Sequence, residues 1–136
     1  MANVRTWPRT APPTLDDIER IARRELAGIP ASFRRHFENV IIRVEELCDE
    51  EIERDLCLES PFELLGLYRG VALGHKSVSA SAADLDMIFL YRRAILDYWC
   101  ETGEDLGRIV RHVLVHEVGH HFGLSDEDMQ RIEDEE

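Results

Sequence analysis

The chain has 136 residues, 44% hydrophobic and 32% charged, which fits one soluble globular domain with a single core. Its 28 acidic residues against 16 basic ones give a net charge of -12, which argues against a surface built to grip nucleic-acid phosphates. No apolar run approaches the roughly 20 residues that span a bilayer, and the opening "MANVRTWPRTAPP" has no signal-peptide core. Cys48, Cys57 and Cys100 are odd in number and not spaced as a zinc knuckle, so they read as reduced thiols of a cytoplasmic protein.

Residues 1–13 hold three of the five prolines and read as a flexible arm ahead of one domain over 14–136. Thr14 with Asp17 has capping-box spacing, and "LDDIERIARREL" carries Leu15, Ile18, Ala22 and Leu26 at helical intervals before Gly28 stops it. "PASFRRHFENV" suits a short second helix. "VIIRVEEL" (40–47) is β-branched and apolar, a strand, and "DEEIERDLCL" a short acidic helix. "FELLGLYRGVAL" (62–73) reads as a second strand, followed by the small-residue loop "GHKSVSASAADLD". "MIFLYRRAIL" begins as a third strand and turns helical near Ala94. From Glu104 to Phe122 the pattern is strongly helical, with Leu106, Ile109, Val110, Val113 and Leu114 in one stripe. Gly123 then ends that helix, and Ser125 with Asp128 caps a last short one. The expected class is α+β: N-terminal helices, a small mixed sheet and a long C-terminal helix packed on it.

That C-terminal helix carries "HEVGHHFGLSD" (116–126). His116 and His120 are four apart and project from nearly one face, so both imidazoles can bind one Zn²⁺. Glu117 lies about 100° around the helix from His116. It can reach a metal-bound water as general base without ligating the metal, the arrangement of the H-E-x-x-H motif. On a helical wheel all three fall in the sector of Ile109, Val110 and Val113, so the site is expected to face the protein, with the metal satisfying otherwise unpaired groups. Gly119 is expected to let the helix approach the sheet closely. Gly123 can reverse the chain so that Asp126 returns to the metal as a third ligand and leaves a position open to water.

His116-Glu117-x-x-His120-x-x-Gly123-x-x-Asp126 resembles the aspartate-type zincins. Together with "FELLGLYRGVAL", "IFLYRRAIL" and "VRHVLVHEVGHHFGLSDEDM", it is similar to a family of small, single-domain bacterial zincin-like metallopeptidases over roughly residues 15–132. The resemblance implies a minimal zincin fold, zinc ligands His116, His120 and Asp126, and Glu117 as the base. Only ten residues follow Asp126, leaving no space for the Met-containing turn of larger zincins.

Other histidines and carboxylates have plainer readings. His121 reads as a core or last-turn histidine, His112 as solvent-facing or supporting the ligands, and His75 as a loop residue. Glu133 could serve as a distant third ligand, but the chain between it and the motif looks too short. Tyr68, Tyr91 and Tyr98 could donate to an oxyanion, although strand aromatics usually pack the core. The expected function is zinc-dependent hydrolysis of a peptide or protein substrate, with no nucleic-acid or membrane partner and with room for a homodimer. A non-catalytic scaffold and a zinc endoribonuclease are the alternatives. Glu117 argues against both, since a structural site needs no base and the endoribonuclease motif carries none.

Overall fold

The computed structural model describes residues 11–70 and 86–134. Most of the proline-rich arm, residues 71–73 of the second expected strand, most of the small-residue loop and His75 lie outside these described residues.

The first helix, α1 (Leu15–Ala27), begins where its cap is written. The Thr14 hydroxyl accepts from the Asp17 N–H at 3.1 Å, and the Asp17 carboxylate accepts from the Thr14 N–H at 2.8 Å. Two of the orphan donors of the first turn are thereby satisfied. Ile18, Ile21 and Ala22 are buried and hold the helix to the core. Pro13, the last residue of the expected arm, accepts at 2.7 Å from Arg92 Nε. The backbone hydrogen bond from Thr14, the largest cause, holds the Asp17 carboxyl below its ordinary value. A carboxyl lowered in the folded state contributes stability above its unfolded pKa, and that contribution is lost as pH falls through the folded value. Thr14→Ala is accordingly expected to cost about 1 kcal/mol at neutral pH. Asp17→Asn should likewise lower stability at neutral pH, and its gap from the parent should narrow in strong acid as the parent's Asp17 is protonated. Denaturant melts at both pH values test this, and equal midpoints at neutral pH would rule the box out as a stabilising element.

After α1 the chain makes α2 (Ala31–Arg34), shorter than the helix expected there. Tight three-residue turns follow, with the N–H of His36 on Phe33 O and that of Phe37 on Arg34 O. Strand β1 (Ile41–Glu45) and the acidic helix α3 (Glu50–Asp55) lie where the pattern put them, and the Asp49 side chain caps α3. The second expected strand begins later than the sequence suggested. Pro61–Glu63 forms a 3₁₀ turn capped by Ser60, because proline suits a first helical turn and cannot donate to a sheet. Among the described residues of this stretch, Gly66–Arg69 pairs, as β2. Strand β3 (Met87–Tyr91) passes directly into α4 (Arg92–Thr102), two residues before Ala94, and Gly103 ends α4 in the left-handed conformation at φ 73°. The long helix α5 (Leu106–His121) and the final α6 (Asp126–Asp134) complete the chain.

The sheet order is β1-β3-β2, with β1 parallel and β2 antiparallel to β3. Ile88 and Leu90 of the central strand are fully buried, and one core joins them to Ile18 and Ala22 of α1 and to Val110, Leu114 and Val118 of α5. This is the expected α+β architecture. Strand β2 lies on the edge, and α5 packs beside it. Gly66 permits that approach, since a Cβ there would lie 2.4 Å from Val113 Cγ1 and 3.1 Å from the Phe89 carbonyl oxygen. Cys48 is buried, Cys57 and Cys100 are exposed, and all three are free thiols.

Candidate metal centre

Helix α5 presents the candidate residues. Its N-cap, Asp105, accepts from the Arg108 N–H, and Ile109, Val110, Val113, Leu114, Val115 and Val118 anchor it in the core. The motif does not continue into that core as the wheel suggested. His116 and Glu117 are half-buried and His120 is exposed, because Val118 and Gly119 take the buried positions of the last turns.

The hairpin from α5 to α6 follows from two glycines. Gly123 adopts φ 72°, its N–H reaches His120 O, and the Leu124 N–H reaches Gly119 O. These two bonds close the helix as a Schellman motif. Ser125 then caps α6, its hydroxyl accepting from the Asp128 N–H at 3.0 Å. Gly119 faces α6 rather than the sheet. A Cβ there would stand 2.6 Å from Met129 Sδ, and Met129 is fully buried. Helix α6 can therefore fold back flat along α5.

This packing brings in a residue whose connecting chain looked too short. Glu133 Oε2 lies 2.7 Å from His116 Nε2, and its Oε1 lies 2.8 Å from His112 Nδ1. The separation closes because α6 runs antiparallel along α5, returning its last turn to the middle of the motif helix. The His112 and His116 rings stack with centroids 4.0 Å apart, whereas His116 and His120 meet edge-on at 5.7 Å. Among the described residues, the donors that converge within 4.8 Å of one another are His112, His116 and Glu133. His120 and Asp126 are not in that group. Asp126 is the exposed first residue of α6.

Glu117 points to the sheet edge. Its Oε1 accepts at 3.1 Å from the backbone N–H of Tyr68, the third residue of β2. Burial pushes the Glu117 carboxyl above its ordinary value, opposed by the Tyr68 hydrogen bond and by the nearby His120 and His116. A cleft of about 820 Å³ opens beside these groups, with Gly66, Val113, His112, His116, Glu117 and Glu133 on its walls.

The tyrosines divide. Tyr68 stacks on His121, with centroids 4.2 Å apart, and burial raises its phenol pKa. Tyr91 lies in the core, its phenol pushed up to about 12 by burial. Tyr98 is exposed and donates to Glu104 at 3.3 Å. His121 is thus a last-turn histidine with an aromatic partner.

No curated protein matches the chain. A solved structure, of a conserved hypothetical protein from T. thermophilus, is 23% identical with a TM-score of 0.54, covering 81% of this chain and 94% of that one. At that identity the likeness is one of fold. The family model described as zincin-like metallopeptidase matches residues 37–136, which take in the whole sheet, the motif helix and α6. With three-quarters of its length so matched, the chain belongs to the zincin-like metallopeptidase family.

Proposed function

We propose that this protein is a zinc-dependent hydrolase of peptide bonds in which His116, His120 and Asp126 hold the metal and Glu117 is the general base. The observation that carries this reading is the placement of Glu117. A carboxylate between two motif histidines is anchored by a sheet-edge N–H and opens onto a cleft. Family membership over residues 37–136 supports the same chemistry. The donor set also fits zinc, since imidazoles and carboxylates are its ordinary ligands. Bound there, Zn²⁺ supplies Lewis acidity toward a carbonyl oxygen and a water.

The chain's own groups do the remainder. Glu117 takes the proton of the attacking water at its carboxylate and returns it to the leaving amine. The Tyr68 N–H holds one carboxylate oxygen, leaving the other to act. Carboxylates outnumber guanidiniums on the cleft walls, where Glu25, Glu63, Glu104 and Asp105 lie with Glu117 and Glu133 against Arg108 and Arg111. That imbalance favours cationic peptides or protein segments over nucleic acid. Among the described residues no helix is long and apolar enough to cross a membrane. We place the protein in the cytoplasm.

Protein prepared with zinc is expected to hold about one equivalent per chain and to cleave members of a mixed peptide library, losing that activity to a chelator. The variant with His116, His120 and Asp126 all changed to Ala should fold without zinc. Equal zinc content in that variant and the parent would exclude these ligands. A fully loaded parent that cleaves no peptide would favour a scaffold role.

A further inference from the structure

Three histidines, His112, His116 and His120, recur at four-residue intervals along one face of α5. Asp126 and Glu133 are seven apart on α6, about two turns, and so share a face. The antiparallel hairpin sets the start of α6 beside the end of α5 and its last turn beside His112 and His116. Glu133 thus meets His112 and His116, and His116 is also the first histidine of the proposed catalytic set.

We propose that His112, His116 and Glu133 form a second site for a divalent transition cation, one that excludes occupancy of the His116–His120–Asp126 site. The donors are His112 Nδ1, His116 Nε2 and the Glu133 carboxylate, whose oxygens stand 2.8 and 2.7 Å from the two ring nitrogens. All three offer ligand atoms within 4.8 Å of one another, on two helices locked by the Gly119–Met129 contact. Two imidazoles and a carboxylate suit Zn²⁺, Co²⁺ and Ni²⁺ and do not suit Mg²⁺ or Ca²⁺, which take oxygen ligands. The group opens to the cleft. The His112 side chain is 58% exposed and the Glu133 side chain 18%, so a cation can enter and keep water on its open positions.

Exclusion follows from His116. Helical geometry turns its Nε2 either to Glu133, as here, or along the helix toward His120, and one nitrogen lone pair serves one metal. The second site would therefore hold a cation one turn away from the position that hydrolysis needs. It stands on its own donors and does not require the hydrolase reading to hold.

The test begins from a protein carrying His120→Ala and Asp126→Ala, which removes two proposed catalytic ligands and leaves the second group whole. Titration with Co²⁺, followed by visible absorption and by elemental analysis after dialysis, is expected to show one equivalent bound. Adding Glu133→Gln, or separately His112→Ala, should weaken that binding at least tenfold, with cooperative unfolding confirming that each variant is folded. The parent should bind one equivalent in total. Failure of the folded double variant to bind Co²⁺ would overturn the proposal. So would binding that survives either added substitution unchanged, or two equivalents in the parent. If Glu133→Gln or His112→Ala alone strips the otherwise unaltered parent of its zinc, the catalytic ligand set fails while the second site stands.

Discussion

Glu117→Gln is expected to lower the rate on any cleaved peptide by about 10²- to 10⁴-fold, the range for loss of a general base. Zinc content and unfolding midpoint should stay near those of the parent. Glutamine has nearly the same shape, and its amide oxygen can still accept from the Tyr68 N–H that now holds Glu117 Oε1. It cannot take a proton from water at neutral pH. The half-buried glutamine also removes a carboxylate whose burial opposes its charge, so the fold loses little. Rate constants for parent and variant on one peptide, beside metal analysis of both, check the assignment. An unchanged rate would remove Glu117 from the chemistry. Joint loss of zinc and rate would instead make it a ligand or a support for the ligands.

Gly66→Val should be the most damaging single change to the sheet edge, costing about 2–3 kcal/mol. Even the first added carbon would sit 2.4 Å from Val113 Cγ1 and 3.1 Å from a backbone oxygen of β3. Neither neighbour can yield cheaply, because Val113 is buried in α5 and the carbonyl belongs to the sheet. Relief requires β2 and α5 to separate, which moves the Tyr68 N–H away from Glu117. The expected signature is a lower denaturant midpoint together with a loss of hydrolysis larger than the unfolded fraction explains. A midpoint equal to the parent's would show that β2 and α5 are not packed as closely as described.

The helix ends were legible in the sequence because each is set within a turn or two of chain. Thr14 and Asp17 satisfy one another's backbone groups, and Ser125 caps α6 from three residues away. Gly123 alone supplies the positive φ that ends α5. The stripe from Leu106 to Leu114 likewise specified a helix that buries one face. The H-E-x-x-H spacing therefore had a scaffold in sequence, and the family resemblance agreed with the match over residues 37–136.

Partners distant in the chain were not legible, since nothing local sets them. Tyr68 reaches Glu117 across 49 residues, and no pattern around either names the other. The wheel located the buried stripe but not its rotation at the last turns, where Val118 and Gly119 turn inward and leave His120 exposed. Above all, the sequence offered two carboxylates, Asp126 and Glu133, to the same histidines. Which one meets His116 depends on the register of α6 against α5. That register is set by Met129 seating on the bare backbone of Gly119, a packing contact between two helices, and it carries Glu133 to His116 Nε2 at 2.7 Å. Chain length suggested that Glu133 could not arrive. A reversal at one glycine and close packing at another bring it there.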